Sequence, residues 1–205
     1  MSLRLEGLNA GTAPTGGSLT TMGNPKCAPE LRVKFIQKER IYLRRLSHQD
    51  VDGEYLKMLS DPQVTKYLTV GKIPPSLADL DAYVSSFDGN NNAVAFAVVE
   101  TAADRFMGTA TLNSINWVSG TADIGMALGP QFRGHGYPDE VLSAIVPYAF
   151  ESLKLRRVYM GVLESDAERI KAAKSVGFVQ EGVWRAHSLV EGTYEDEIWF
   201  GLIKE

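Results

Sequence analysis

The stretch Gln131-Phe132-Arg133-Gly134-His135-Gly136-Tyr137-Pro138 constrains this chain most. A β-patterned run at 121–128 leads into it, a helical run leaves it, and a second β-patterned run follows at 157–164. Strand, helix and strand in that order call for a parallel pair of strands. Gly134 and Gly136 let the backbone turn sharply and come close to a ligand. The helix start turns free N–H groups and a positive dipole end outward, which suits a phosphate, and Arg133 adds a fixed charge. On these residues alone a phosphate cradle and a plain tight turn both fit. A dinucleotide fingerprint does not fit, because Asp139 fills the slot of its third glycine and the preceding elements read as antiparallel.

The rest of the chain supplies that unit with neighbours. Residues 41–46 read as a strand. Val51, Tyr55, Met58 and Leu59 recur at helical spacing. Ser47 and Asp50 approximate a capping box before them, which puts a structural His48 on this first helix. Asp61-Pro62 opens a short helix through Tyr67. Ser76 and Asp79 cap another, carrying Leu77, Leu80, Tyr83, Val84 and Phe87. Strands follow at 93–101 and 106–113. The helix opened by Pro138 is predicted to run to about Leu153, burying Val141, Leu142, Ile145, Ala149 and Phe150. Pro147 inside it should remove the bond to the Ser143 carbonyl and kink the helix. A helix at 168–176 stops at Gly177, and 178–190 with 194–203 form a hairpin across Glu191-Gly192. This order of elements predicts an α+β domain over 31–205, with a mixed, mostly antiparallel sheet and one β-α-β unit.

Residues 1–30 read differently. Between 7 and 29, fifteen of 23 residues are Gly, Pro, Ser, Thr or Asn, too little apolar surface to offset the entropy of ordering. This leader is either a flexible segment or one that orders against a substrate mouth or a partner subunit, contributing to a homodimer. The lone cysteine, Cys27, makes no internal disulfide, and a reducing, cytoplasmic compartment is the simplest setting. A formal charge of −4 argues against a nucleic-acid partner, which wants a basic face. The apolar run 93–99 is far too short for a bilayer span of roughly 20 residues, and no membrane role is expected. Three scattered histidines and one cysteine predict no metal site. Trp117, Trp184 and Trp199 fall in strands, where core packing is the default.

Arg133-Gly134-His135-Gly136-Tyr137, followed by Glu140, resembles the acetyl-CoA loop of the GNAT N-acetyltransferase superfamily, whose pattern is Gln/Arg-x-x-Gly-x-Gly/Ala. The branch it is most similar to includes the ribosomal-protein N-terminal acetyltransferases. Asp61-Pro62-Gln63-Val64-Thr65-Lys66-Tyr67-Leu68, Ala122-Asp123-Ile124-Gly125, Tyr148-Ala149-Phe150, Gly177-Phe178 and Gly192-x-x-x-Asp196 follow that branch in order and spacing, over roughly 38–205. Ile115-Asn116-Trp117 resembles acetyltransferases of amino-sugar nucleotides, a substrate alternative. The resemblance implies the GNAT fold and acetyl-CoA as co-substrate. It also implies direct attack by an amine acceptor, a protein N-terminus or a small amine, in a ternary complex. The strand with Met126, Ala127 and Leu128 would pair with the pantetheine arm, and Arg133, Gly134, His135, Gly136 and Tyr137 would hold the pyrophosphate. A carboxylate would take the amine proton. Asp123, beside the expected thioester, and Glu164, at the end of the strand after the loop helix, are both candidates.

Some positions depart from the pattern. In the register that keeps Gly177-Phe178 in step, the last Gly/Ala of the loop is Pro138, which has no N–H for a phosphate. Asp139 follows, badly charged for a pyrophosphate unless it turns outward or caps the helix. Asp166 stands where the branch usually has Asn, and Arg169 where it often has a small or hydroxyl residue. Arg169 suits a thiolate or a phosphate, or simply a solvated helix face. These departures leave a GNAT-fold CoA-binding module with altered catalysis as the alternative to an enzyme. His135 and His187 read as surface histidines.

Overall fold

The computed structural model describes residues 33–66, 68 and 75–205. The leader, with Cys27, and Tyr67 lie outside the described residues.

Thirteen helices and strands follow one another among the described residues: β1 (Ile36–Gln37), β2 (Ile41–Arg45), α1 (Gly53–Ser60), α2 (Pro62–Thr65), α3 (Leu77–Ser85), β3 (Val94–Glu100), β4 (Arg105–Asn116), β5 (Thr121–Leu128), α4 (Tyr137–Pro147), β6 (Arg157–Leu163), α5 (Ala167–Val176), β7 (Val179–Val190) and β8 (Thr193–Ile203). The eight strands form one sheet in the order β1-β2-β3-β4-β5-β6-β8-β7. Only β5 and β6 are parallel, and the helix between them is α4, as the strand–helix–strand unit requires.

That parallel pair is short. It joins Thr121, Ala122 and Asp123 to Arg157, Val158 and Tyr159, and the ladder stops there. Beyond it β5 keeps its pairing with β4 as far as Leu128, and β6 keeps its pairing with β8 as far as Leu163. Each strand holds its outer neighbour while the two part from one another.

Helix α4 packs Val141, Leu142, Ala144 and Ile145 into the main core, each 2% exposed or less. Met107, Leu112, Met160 and Phe200 meet them from the sheet. Full burial of each large side chain is worth about 1.5–3 kcal/mol. The core thereby fixes where α4 begins, and so where the glycine loop sits.

Local signals differ from the sequence reading in three places. The Ser47–Asp50 capping box forms, but it closes a 3-10 turn at His48–Asp50. Helix α1 has its own cap, Asp52, which accepts from the N–H groups of Glu54 and Tyr55. His48 is therefore on the turn, not on the helix. At the other end of the molecule the loop helix is α-helical only to Pro147, then runs as a π turn over Tyr148–Ser152. Leu153 N–H donates to the Tyr148 carbonyl at 3.1 Å. A proline N–H is missing there, and the wider turn re-pairs the chain after it.

The tryptophans also depart from core packing. Trp117 and Trp184 are about half exposed, at 51% and 48%. Trp117 follows β4, and its indole N–H donates to the Asn91 carbonyl at 2.9 Å. Trp184 lies on β7, the edge strand of the sheet.

Candidate active site

The gap between the parted strands opens into a cleft of about 520 Å³. Asp123 and Met126 line it from β5, Met160 and Gly161 from β6, and Trp184, His187, Glu197 and Trp199 from the terminal hairpin. Asp123 is the last residue of β5 in the parallel ladder, so its side chain stands where the strands separate. Glu197 pairs with Leu163 of β6, two positions along the ladder from the Gly161–Trp199 pair. A Cβ at Gly161 would stand 2.0 Å from Glu197 Oε1. Only glycine there lets this carboxylate lie over the strand.

Asp123 and Glu197 thus face one cleft. Burial, and then the charge of Glu197, push the Asp123 carboxyl up to about 6. Glu197 is also mostly buried, with its side chain 14% exposed. Ser188 Oγ donates to Glu197 Oε2 at 3.2 Å, and His187 Nε2 lies 3.8 Å from the same oxygen. A bulge in the β7–β8 ladder between Trp184 and Ser188 brings His187 there. The bulge is tied by the Ala186 N–H, which donates to Asp196 Oδ1 at 2.8 Å. Trp184 packs against Trp199 at a tilt, ring centroids 4.3 Å apart, and meets His187 edge-on at 4.7 Å. Glu164 is exposed beyond the end of β6 and does not line the cleft.

The glycine loop lies at the other end of β5. Gly134 and Gly136 adopt φ of 74° and 73°, the left-handed region that glycine enters without strain. Their N–H groups converge on one oxygen, Glu168 Oε1, at 3.0 and 3.3 Å. Two backbone donors aimed at one anionic oxygen are what a phosphate cradle requires. Gly136 is the N-cap of α4 and has no side-chain cap of its own. Arg40, just before β2, fixes the loop from outside. It donates to the His135 carbonyl at 2.9 Å and to Glu140 Oε1 at 3.2 Å, and its guanidinium lies 4.5 Å over the Tyr137 ring. His135 itself is exposed.

The unusual loop residues take harmless positions. Pro138 is buried in the first turn of α4, where a missing N–H leaves no gap in the helix. Asp139 turns to α5 and accepts from Ser175 Oγ at 2.5 Å. Asp166 caps α5, accepting from the Arg169 N–H at 3.2 Å, and pairs with the Arg169 guanidinium at 3.3 Å. Arg169 is not on a solvated face. Its side chain is 15% exposed, and it lines both the large cleft and a small cavity beside Arg133. Met126 and Leu128 line that cavity as well, so β5 joins the two ends of the site.

Arg40, Glu168, Glu197 and the lining role of Trp184 and His187 have no local sequence signal. Each depends on which strands and helices become neighbours. Among the described residues no group of three or more His, Cys, Asp or Glu is placed to hold a metal ion, and no helix is long and apolar enough to cross a membrane.

The strands part at their one parallel pair, beside a loop whose backbone N–H groups hold a carboxylate oxygen. A family model described as an acetyltransferase (GNAT) domain matches residues 40–179, and the chain belongs to that family. By class it is an acetyl-CoA-dependent N-acetyltransferase. It is similar to the uncharacterized N-acetyltransferase p20 of Bacillus licheniformis, at 29% identity over 84% of this chain and 97% of that protein. It is also similar to spermidine N(1)-acetyltransferase of Vibrio cholerae, at 26% identity over 52% of this chain and 62% of that one. The crystal structure of spermidine N-acetyltransferase from Vibrio cholerae in complex with CoA and spermine shares the fold. Its TM-score is 0.73 at 20% identity, covering 80% of this chain and 95% of that one.

Proposed function

We propose that the chain moves the acetyl group of acetyl-CoA onto the primary amine of a small cationic acceptor, by direct attack in a ternary complex, with Asp123 as the base. The observation that carries this is the Asp123 carboxyl. It stands where β5 and β6 part, with its pKa raised to about 6 beside Glu197. A base poised near the working pH is mostly ionised yet still basic enough to take a proton.

In this reading the backbone around Met126, Ala127 and Leu128 receives the pantetheine arm. Arg133, Gly134, His135, Gly136 and Tyr137 receive the diphosphate, flanked by Asp166 and Arg169. The N–H groups of Gly134 and Gly136 suit that group, since they already seat a carboxylate oxygen. Backbone donors where the strands part polarise the thioester carbonyl. The amine nitrogen forms its bond to the acetyl carbon, and the carbon–sulfur bond breaks with its electron pair leaving on sulfur. The excess amine proton passes to Asp123. Glu164, exposed and outside the cleft, has no part in it.

The acceptor class rests on Asp123, Glu197 and the Trp184–Trp199 wall. Carboxylates and indole faces both attract a cation. The spermidine-acetylating relative supports the same class. A protein N-terminus, as in the ribosomal-protein branch, is also cationic and meets the same carboxylates. An amino-sugar nucleotide would bring phosphates against two carboxylates, which disfavours it. The division into a leader of 1–30 and a catalytic domain of 31–205, the cytoplasmic setting and a homodimer belong to the same proposal.

The test is thiol release from acetyl-CoA against spermidine, a short peptide with a free N-terminus, and an amino-sugar nucleotide. Spermidine should turn over fastest. Asp123→Asn should lower kcat by about 10²–10⁴-fold and leave CoA binding intact. An unchanged kcat overturns the base, and a preference for the peptide or the nucleotide overturns the acceptor class.

A further inference from the structure

We infer that Glu168 occupies the seat of the donor's diphosphate in the free enzyme and must be displaced before acetyl-CoA can bind. The inference rests on the reading of the Gly134–Gly136 loop as that seat, and goes beyond it by assigning an internal competitor.

Three observations meet at this side chain. Its Oε1 takes the N–H groups of both left-handed glycines, at 3.0 and 3.3 Å. Helix α4 begins at Tyr137 and has no side-chain cap of its own; Glu168, from α5, instead accepts from the N–H of its N-cap, Gly136. The space left beside the loop is small. The cavity lined by Met126, Phe132, Arg133, Glu168 and Arg169 holds about 30 Å³, room for one or two waters. A diphosphate oxygen reaches these two N–H groups only when Glu168 swings away.

The physical consequence is a competition between two anions for one pair of donors. A carboxylate and a diphosphate cannot share them, because like charges repel and each donor has one hydrogen. The carboxylate holds both glycine N–H groups in the turn while the site is empty. It also lowers the apparent affinity for the donor to the fraction of molecules in the unplugged form. Glu168 is in the first turn of α5, two residues after the Asp166 cap, so a rotamer change suffices to clear the seat without moving a helix.

Glu168→Gln keeps the size and removes the charge. The variant should bind CoA about tenfold more tightly than the native protein by calorimetry, the factor expected if the plugged form makes up about 90% of the free population. S-acetylpantetheine, which has no phosphate, should bind both proteins equally. Amide NMR gives a second readout. The Gly134 and Gly136 resonances should differ between native and variant protein when free, and coincide once CoA is bound. Equal or weaker CoA binding by the variant overturns the competition, as does a difference at the two glycines that persists in the CoA complex. If the native protein binds CoA no better than S-acetylpantetheine, the loop is not the diphosphate seat, and the underlying reading fails instead.

Discussion

On one side of the parted strands the wall is backbone. The Arg133–Tyr137 loop offers N–H groups from two left-handed glycines, on top of a helix whose inner face is wholly buried. On the other side the wall is side chain. Trp184, His187, Glu197 and Trp199 project from a hairpin whose outer strand is exposed along most of its length. The contrast separates two demands. The first wall demands a backbone conformation that glycine adopts without strain. The second demands side chains on a sheet edge, where substitution leaves the core intact.

The largest expected effect tests whether the walls differ in what holds them. Leu142 is fully buried on the inner face of the loop helix, so Leu142→Ala should cost about 2–5 kcal/mol of unfolding free energy. Val183, on β7 and 42% exposed, should cost no more than about 0.5 kcal/mol when changed to Ala. Urea denaturation of the two variants measures both. A large cost at Val183 would mean that the hairpin is a packed wall after all, and the contrast would fail.

Next in size is a split in binding. Gly136→Ala forces a side chain into the left-handed region, at roughly 1–2 kcal/mol of strain. The strain falls on the loop, so CoA affinity should drop by about tenfold while the acceptor KM stays put. Trp184→Ala should do the reverse, raising the acceptor KM and leaving CoA affinity alone. Calorimetry with CoA and steady-state kinetics with a varied amine separate the two. A variant that moves both constants equally would show that the walls are coupled.

The same contrast explains what the sequence made legible. The β5–α4–β6 unit, its parallel pair and the glycine loop are written in short-range signals: two glycines, a proline at a helix start, periodic apolar residues. The caps at Asp61 and Ser76 are local too, and both form. Ser47 and Asp50 show the limit of such signals, since the box is real but the turn it closes is not the helix. The acceptor wall is not local. Asp123 meets Glu197 only because β6 pairs with β8 at the Leu163–Glu197 register and because residue 161 is glycine. Trp184 reads as core by pattern, and its half-exposure follows from β7 being the last strand of the sheet, a fact of topology.

The smallest effect is the sharpest probe of the side-chain wall. Burial is the larger reason that the Asp123 carboxyl is raised to about 6, and Glu197 is the smaller one. Activity that needs the Asp123 carboxylate should fall as pH drops through about 6, because protonation removes the base. Glu197→Gln removes a neighbouring negative charge but leaves the burial. With less repulsion the carboxylate is easier to form, so the Asp123 pKa should fall part of the way toward its ordinary value. The acid limb of kcat/KM should move to lower pH, and a residual upward shift should remain. If the acceptor is the proposed cation, it should also bind less well, giving a higher KM at every pH. A pH profile of the variant measured at several amine concentrations reads both changes. An acid limb that stays near 6 would leave burial as the whole cause and would take Glu197 out of the electrostatics of the base. A limb that moves toward higher pH would reverse the sign of the coupling and break the assignment of Asp123 itself.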